Sequence, residues 1–123
     1  MAEVLLTDDA REDLHSLDGS ERRLVLKALA KLRIDPAKRG APLGRRSSGN
    51  LTSFRKLVVG DRAYRVIYRV ERDGTVVVVW VIAQRADDEC YELAIARLNL
   101  RKSDVAQEMT ALLDAAWGKP PKQ

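Results

Sequence analysis

Four cations in the middle of this 123-residue chain, Lys56, Arg65, Arg69 and Arg85, fall where extended segments would carry them. Guanidinium groups offer several fixed donors and stay charged at every relevant pH, so arginines aligned on one surface suit phosphate oxygens. Lys56, lying among them, is a candidate acid or base. Tyr91, six residues after Arg85, brings a phenol to the same region or simply anchors a helix by packing. The chain has one histidine, His15, and one cysteine, Cys90, which excludes histidine-pair catalysis, Cys/His-rich metal centres and an internal disulfide. Any catalysis must therefore use Lys, Arg, Tyr or carboxylates, and no cofactor is expected. His15 reads as an exposed helix residue and Cys90 as packing.

A second basic set, Lys38, Arg39, Arg45 and Arg46, lies in residues 35–50 among Pro36, Gly40, Pro42, Gly44 and Gly49. This stretch has neither helical nor strand period and predicts a long loop. Two readings are open for it, a solvated connection or a phosphate-contacting loop. The net charge of +4 permits a nucleic acid or an acidic protein as partner without selecting either.

The elements that must position these residues follow from pattern. Residues 3–7 read as a short strand, and Thr7 before Asp8 and Asp9 is a helix cap. Asp18 and Glu21 have capping-box spacing, and Val25, Ala28, Leu29 and Leu32 form the stripe of a second helix ending before Pro36. From Leu51 to Gln84, β-branched and aromatic residues are broken at Gly60-Asp61 and Arg72-Asp73-Gly74, which predicts a three-stranded antiparallel meander. Helical spacing returns at 88–99, with Asp87 and Asp88 placed to cap it, and again at 103–117 before Gly118 and a Pro-Pro tail. The expectation is one α+β domain: an N-terminal strand and helical hairpin, a four-stranded sheet, and C-terminal helices. Residues 1–101 form its main part and 102–123 a helical extension and tail. No stretch approaches the roughly 20 apolar residues of a membrane span, and the first residues are too polar for a signal peptide, so a cytoplasmic location is expected.

Register predicts which residues share a face. A two-residue hairpin loop at Gly60-Asp61 would pair Lys56 with Arg65, and a three-residue loop at 72–74 would pair Arg65 with Val81. Tyr64, Val66, Tyr68, Val70, Val76, Val78, Trp80 and Ile82 would then lie against helices. Lys56, Arg65 and Arg69 would stand on an open face floored by Ile67, Val77 and Val79. Arg85 would lie roughly 13 Å along the strand from Arg65. Such a basic face is a plausible RNA cradle, or an ordinary solvated one.

Taken in order, Gly40-x-Pro42-Leu43, Gly49-Asn50-Leu51, Lys56-Leu57-Val58-Val59-Gly60-Asp61, Tyr64-Arg65-Val66-Ile67-Tyr68 and Val81-Ile82-Ala83-Gln84-Arg85 resemble the RelE/ParE superfamily of bacterial type II toxin-antitoxin toxins. The resemblance spans roughly residues 3–98 and implies the RelE-like fold. By position in these motifs, Lys56, Arg65, Arg85 and Tyr91 look like the catalytic lysine, two phosphate-binding arginines and catalytic tyrosine of the RelE-like branch. That branch implies a metal-independent endoribonuclease that cuts messenger RNA on the ribosome by 2′-OH attack; with RNA as the substrate, the basic loop residues Lys38, Arg39, Arg45 and Arg46 and the open-face Arg69 are read as further RNA contacts. It also implies a cognate antitoxin as partner. The alternatives are a ParE-like inhibitor of DNA gyrase and a binding module that keeps the fold without catalysis. Two departures stand out: Val58 replaces a second lysine of the best-known ribosome-dependent members, and Asp87-Asp88-Glu89 places acids beside the site, where they would repel RNA.

Overall fold

Thr7 both ends the first strand and starts the first helix. Strand β1 (Glu3–Leu6) leads into helix α1 (Asp8–His15), and the Thr7 hydroxyl accepts the Ala10 N–H at 3.1 Å. Asp8 and Asp9 occupy the positive first turn. Helix α2 (Gly19–Lys31) is capped in the same way by the Asp18 carboxylate, which accepts the Glu21 N–H at 2.9 Å. Arg22 closes the hairpin by donating to the Leu14, His15 and Leu17 carbonyls around the end of α1. The computed structural model describes residues 1–46, 49–61, 64–84 and 86–101; Arg85 and the helix expected at 103–117 lie outside these.

The sheet contains β2 (Ala41–Arg46), β3 (Gly49–Val59), β4 (Tyr64–Glu71) and β5 (Val76–Ala83) besides β1. Its order is β1-β5-β4-β3-β2, with β1 parallel to β5 and the other neighbours antiparallel. It has five strands rather than four, because part of the expected basic loop is the outer strand β2. Composition hid this strand for a physical reason. Pro42 and Gly44 are tolerated on an edge, where a missing donor and a register shift between them leave no neighbour unpaired. Gly40 turns the chain into β2 at φ +62°, and a Cβ there would lie 2.2 Å from the Lys56 carbonyl oxygen.

Both expected turns are longer than the sequence suggested. Val59 pairs with Tyr64 and Val58 with Arg65, so the β3–β4 register moves by two residues and every side chain keeps its face. Between β4 and β5, Glu71 pairs with Val76, one residue beyond the expected partner, which exchanges the faces of residues 76–80 and puts Trp80, expected under the helical hairpin, on the other side of the sheet. A β-bulge at Trp80 then adds a second extra residue: Tyr68 pairs with Val79 but Ile67 with Val81, and the expected alternation returns.

Both faces of the sheet are covered in part. On one, Ala10, Val25, Leu29 and Leu32 of the helical hairpin pack against Val59, Tyr64, Val66, Tyr68, Val77, Val79 and Ile82. On the other, helix α3, residues 87–101, sets Cys90, Tyr91, Ala94 and Ile95 against Leu51, Phe54, Ile67, Trp80 and Val81. Val77 and Val79 are thus core residues of the hairpin side, and the face expected to be open carries α3 over its apolar part. No helix among the described residues is long and apolar enough to cross a membrane.

Candidate functional site

From Phe54 onward the even-numbered residues of β3, and the odd-numbered residues of β4, emerge on the α3 side of the sheet, which brings Lys56 and Arg65 together as diagonal neighbours. Their side chains converge on one group. The Asp87 carboxylate accepts from Lys56 Nζ through Oδ2 at 2.9 Å and from Arg65 Nε through Oδ1. Both cations are largely covered, at 22% and 18% side-chain exposure, whereas Asp87 is 46% exposed. The bonds from Lys56 and then Arg65 hold the Asp87 carboxyl below its ordinary pKa of 3.8.

The next acid repeats the arrangement one strand pair away. Asp88 meets Arg46 of β2 at 2.6 Å, and the Arg46 guanidinium lies 4.2 Å over the centre of the Tyr91 ring. Asp87 and Asp88, expected to cap α3, thus direct their carboxylates across to cations of the sheet.

Tyr91 itself is fully buried, with its hydroxyl 2.9 Å from both the Gly44 and Gly49 carbonyl oxygens. Its phenol therefore ties α3 to both strands of the β2–β3 hairpin instead of facing the Lys56–Arg65 surface. Arg69 is on the same face as Lys56, lying 5.2 Å from the Phe54 ring and 5.7 Å from the Trp80 ring, and it bonds Glu71 at 2.5 Å. Arg45 is exposed on β2, opposite Asn50.

Lys38 and Arg39 do not join this cluster. The Tyr68 hydroxyl, which burial pushes toward higher pKa, reaches the Pro36 and Arg39 carbonyls on the hairpin side of the sheet. Lys38 lines a hollow with Arg33, Asp73 and Thr75 at the β4–β5 turn, roughly 20 Å along β4 from Arg65 at the strand rise of about 3.3 Å per residue. Among the described residues, no three His, Cys, Asp or Glu side chains converge as metal ligands.

What positions α3 is a pair that the pattern of the sequence did not single out. Arg97 Nη1 and Nη2 meet Asp13 of α1 at 2.6 and 3.0 Å, and Nη1 also donates to the Trp80 carbonyl at 2.9 Å. Asp13 accepts the Ile82 N–H at 3.0 Å. β1 stops pairing at Val79, so these side chains satisfy the stretch of the β5 edge that β1 does not reach. The only signal in the sequence was an acid on α1 and an arginine on the last described helix, 84 positions apart.

Comparison with known proteins agrees with this architecture. A family model described as the ParE toxin of the type II toxin-antitoxin system parDE matches residues 4–89. The toxin RelG of Mycobacterium tuberculosis is 33% identical over 85 residues, which cover 68% of this chain and 91% of that protein. Among solved structures, the toxin-antitoxin complex RelBE2 of M. tuberculosis matches at 30% identity and TM-score 0.58, covering 68% of this chain and 98% of its counterpart. The isolated E. coli toxin RelE matches at 19% identity and TM-score 0.58, covering 80% and 99%, a likeness of fold. Sequence and fold together place this chain in the RelE/ParE superfamily of type II toxin-antitoxin toxins.

Proposed function

We propose that this toxin is a metal-independent endoribonuclease of the RelE-like branch, acting on messenger RNA at the ribosome and held in check by a cognate antitoxin. The observation that carries the reading is that Lys56 and Arg65 hold a single two-oxygen anion between them. A phosphodiester offers two anionic oxygens of similar reach, so the same donors suit it. In the reaction, the 2′-OH attacks the adjacent phosphorus, the bond to the 5′-oxygen breaks, and a 2′,3′-cyclic phosphate and a 5′-hydroxyl result. Arg65 and Arg85 stabilise the charge that builds on the phosphate oxygens, and Lys56 transfers a proton. Arg46 and Arg69, flanking the pair on the same side, extend the basic track for RNA. Tyr91 serves by fixing the hairpin that carries Arg46. Residues 1–101 form the toxin domain and 102–123 an extension of it.

Mapping of RNA 5′ ends after induced expression, with end-group analysis of the fragments, tests this. Lys56→Ala, Arg65→Ala and Arg85→Ala should each lower the cleavage rate by about 10²- to 10³-fold while remaining folded. Fragments lacking 2′,3′-cyclic phosphate or its hydrolysis product would refute the mechanism. The second reading, inhibition of DNA gyrase, is favoured by one observation, the burial of the Tyr91 hydroxyl away from the cationic surface. Inhibition of supercoiling by the purified protein, with no cut RNA in cells, would establish it instead.

A further inference from the structure

Any anion that approached Lys56 and Arg65 in this structure would find the Asp87 carboxylate already on their donors. Carboxylate and phosphodiester present the same kind of acceptor, so occupancy by one excludes the other from these bonds. We propose that Asp87 is an internal occupant of the phosphate site, an autoinhibitory latch that an RNA phosphodiester must displace. The inference rests on the ribonuclease reading of Lys56 and Arg65.

The surroundings allow the exchange. Asp87 stands at the start of α3 and is about half exposed, so rotation of its side chain delivers the carboxylate to water while both cations stay in place. The helix start remains attached through Asp88 to Arg46 and through Tyr91 to the Gly44 and Gly49 carbonyls. Release therefore needs no unfolding. Partly exposed ion pairs are weak, each equivalent to roughly a 1.7- to 4.5-fold change in an equilibrium, so two on one carboxylate set a latch of about 3- to 20-fold.

Asp87→Asn and Glu89→Gln make the same charge change two residues apart, and only the first touches Lys56 and Arg65, Glu89 being exposed. The probe is a short single-stranded RNA carrying 2′-O-methyl groups, which cannot be cut, titrated by fluorescence anisotropy against the full chain. Asp87→Asn should bind it about 3- to 20-fold more tightly than wild type, and Glu89→Gln less than twofold. Asp87→Ser, a second variant, should reproduce the gain. Equal gains from Asp87→Asn and Glu89→Gln would reduce the effect to net charge and overturn the latch. No gain from Asp87→Asn, with binding weakened by Lys56→Ala and Arg65→Ala, would overturn the latch and leave the phosphate site standing. Unchanged binding in Lys56→Ala and Arg65→Ala would refute the site itself, and the latch with it. In the unmodified protein, the ¹³C resonance of the Asp87 carboxyl should move on saturation with the same RNA; a stationary resonance would also overturn the latch.

Discussion

Replacing Asp13 by alanine removes three hydrogen bonds at once, one from the Ile82 N–H and two from the Arg97 guanidinium. The Ile82 N–H is left without its acceptor beside the end of β1, and Arg97 keeps a charge that Asp13 otherwise holds more firmly, raising the arginine's pKa. Breaking a buried ion pair by deleting one partner costs about 3–5 kcal/mol. Here the two side chains are 15% and 18% exposed, so water recovers part of that and about 2–4 kcal/mol remains. Urea unfolding should then show the midpoint falling by roughly 1–2 M with the slope unchanged, taking a slope of about 2 kcal/mol per molar. A double-mutant cycle with Arg97→Ala isolates the pair, and its coupling should be about 1.5–3 kcal/mol. A coupling under about 0.5 kcal/mol would show that α3 is positioned by its other contacts, the packing of Cys90, Tyr91, Ala94 and Ile95 and the bonds of Tyr91, Asp87 and Asp88 to the sheet, and that the pair is incidental.

Tyr91→Phe should lower stability by about 0.5–1.5 kcal/mol through loss of the bond to the glycine carbonyls, with cleavage unchanged within about twofold; a loss of 10²-fold or more in rate with stability intact would make the phenol catalytic. The Tyr64 phenol is pushed up to about 12, mainly by its hydrogen bond to the Glu21 carboxylate. The stability this gives is present below the ordinary value of 10 and lost as pH rises toward about 12, and ultraviolet titration of Glu21→Gln should show Tyr64 ionising earlier. The depressed Asp87 carboxyl works with the opposite sign: its contribution is present above 3.8 and lost as pH falls through the lower folded value. Lys56→Ala should bring the Asp87 titration, followed by NMR, back toward 3.8.

The two helix caps were legible because capping is local: Thr7 and Asp18 need only their own next turn. The shared face of Lys56 and Arg65 was legible for a less direct reason. The β3–β4 turn is two residues longer than expected, and an even shift preserves parity. The same reasoning failed for Val77, Val78, Val79 and Trp80, where one additional turn residue and one bulge each change parity, and neither leaves a mark in a run of valines. β2 was hidden because an edge strand can keep the prolines and glycines that mark a loop. Asp87 was visible as an acid near the site, but only the docking of α3 shows that its charge meets two cations instead of repelling a ligand from a distance.

The lengthened β4–β5 turn and the bulge at Trp80 are, in effect, two one-residue insertions that cancel. Each alone would exchange inside for outside over part of β5; together they leave Ile82 in the core of the hairpin side and Val81 in that of α3. They therefore form a unit of tolerated length change. Deleting a single residue from 72–75 should misplace Val76 to Val79, and so should deleting Trp80 alone. Deleting one residue at each place removes both offsets and restores the alternation, at the cost of the indole that packs with Phe54 and Arg69. Homologous strands that lack the bulge are expected to carry the shorter turn as well, so gaps in the turn and in the strand should occur together.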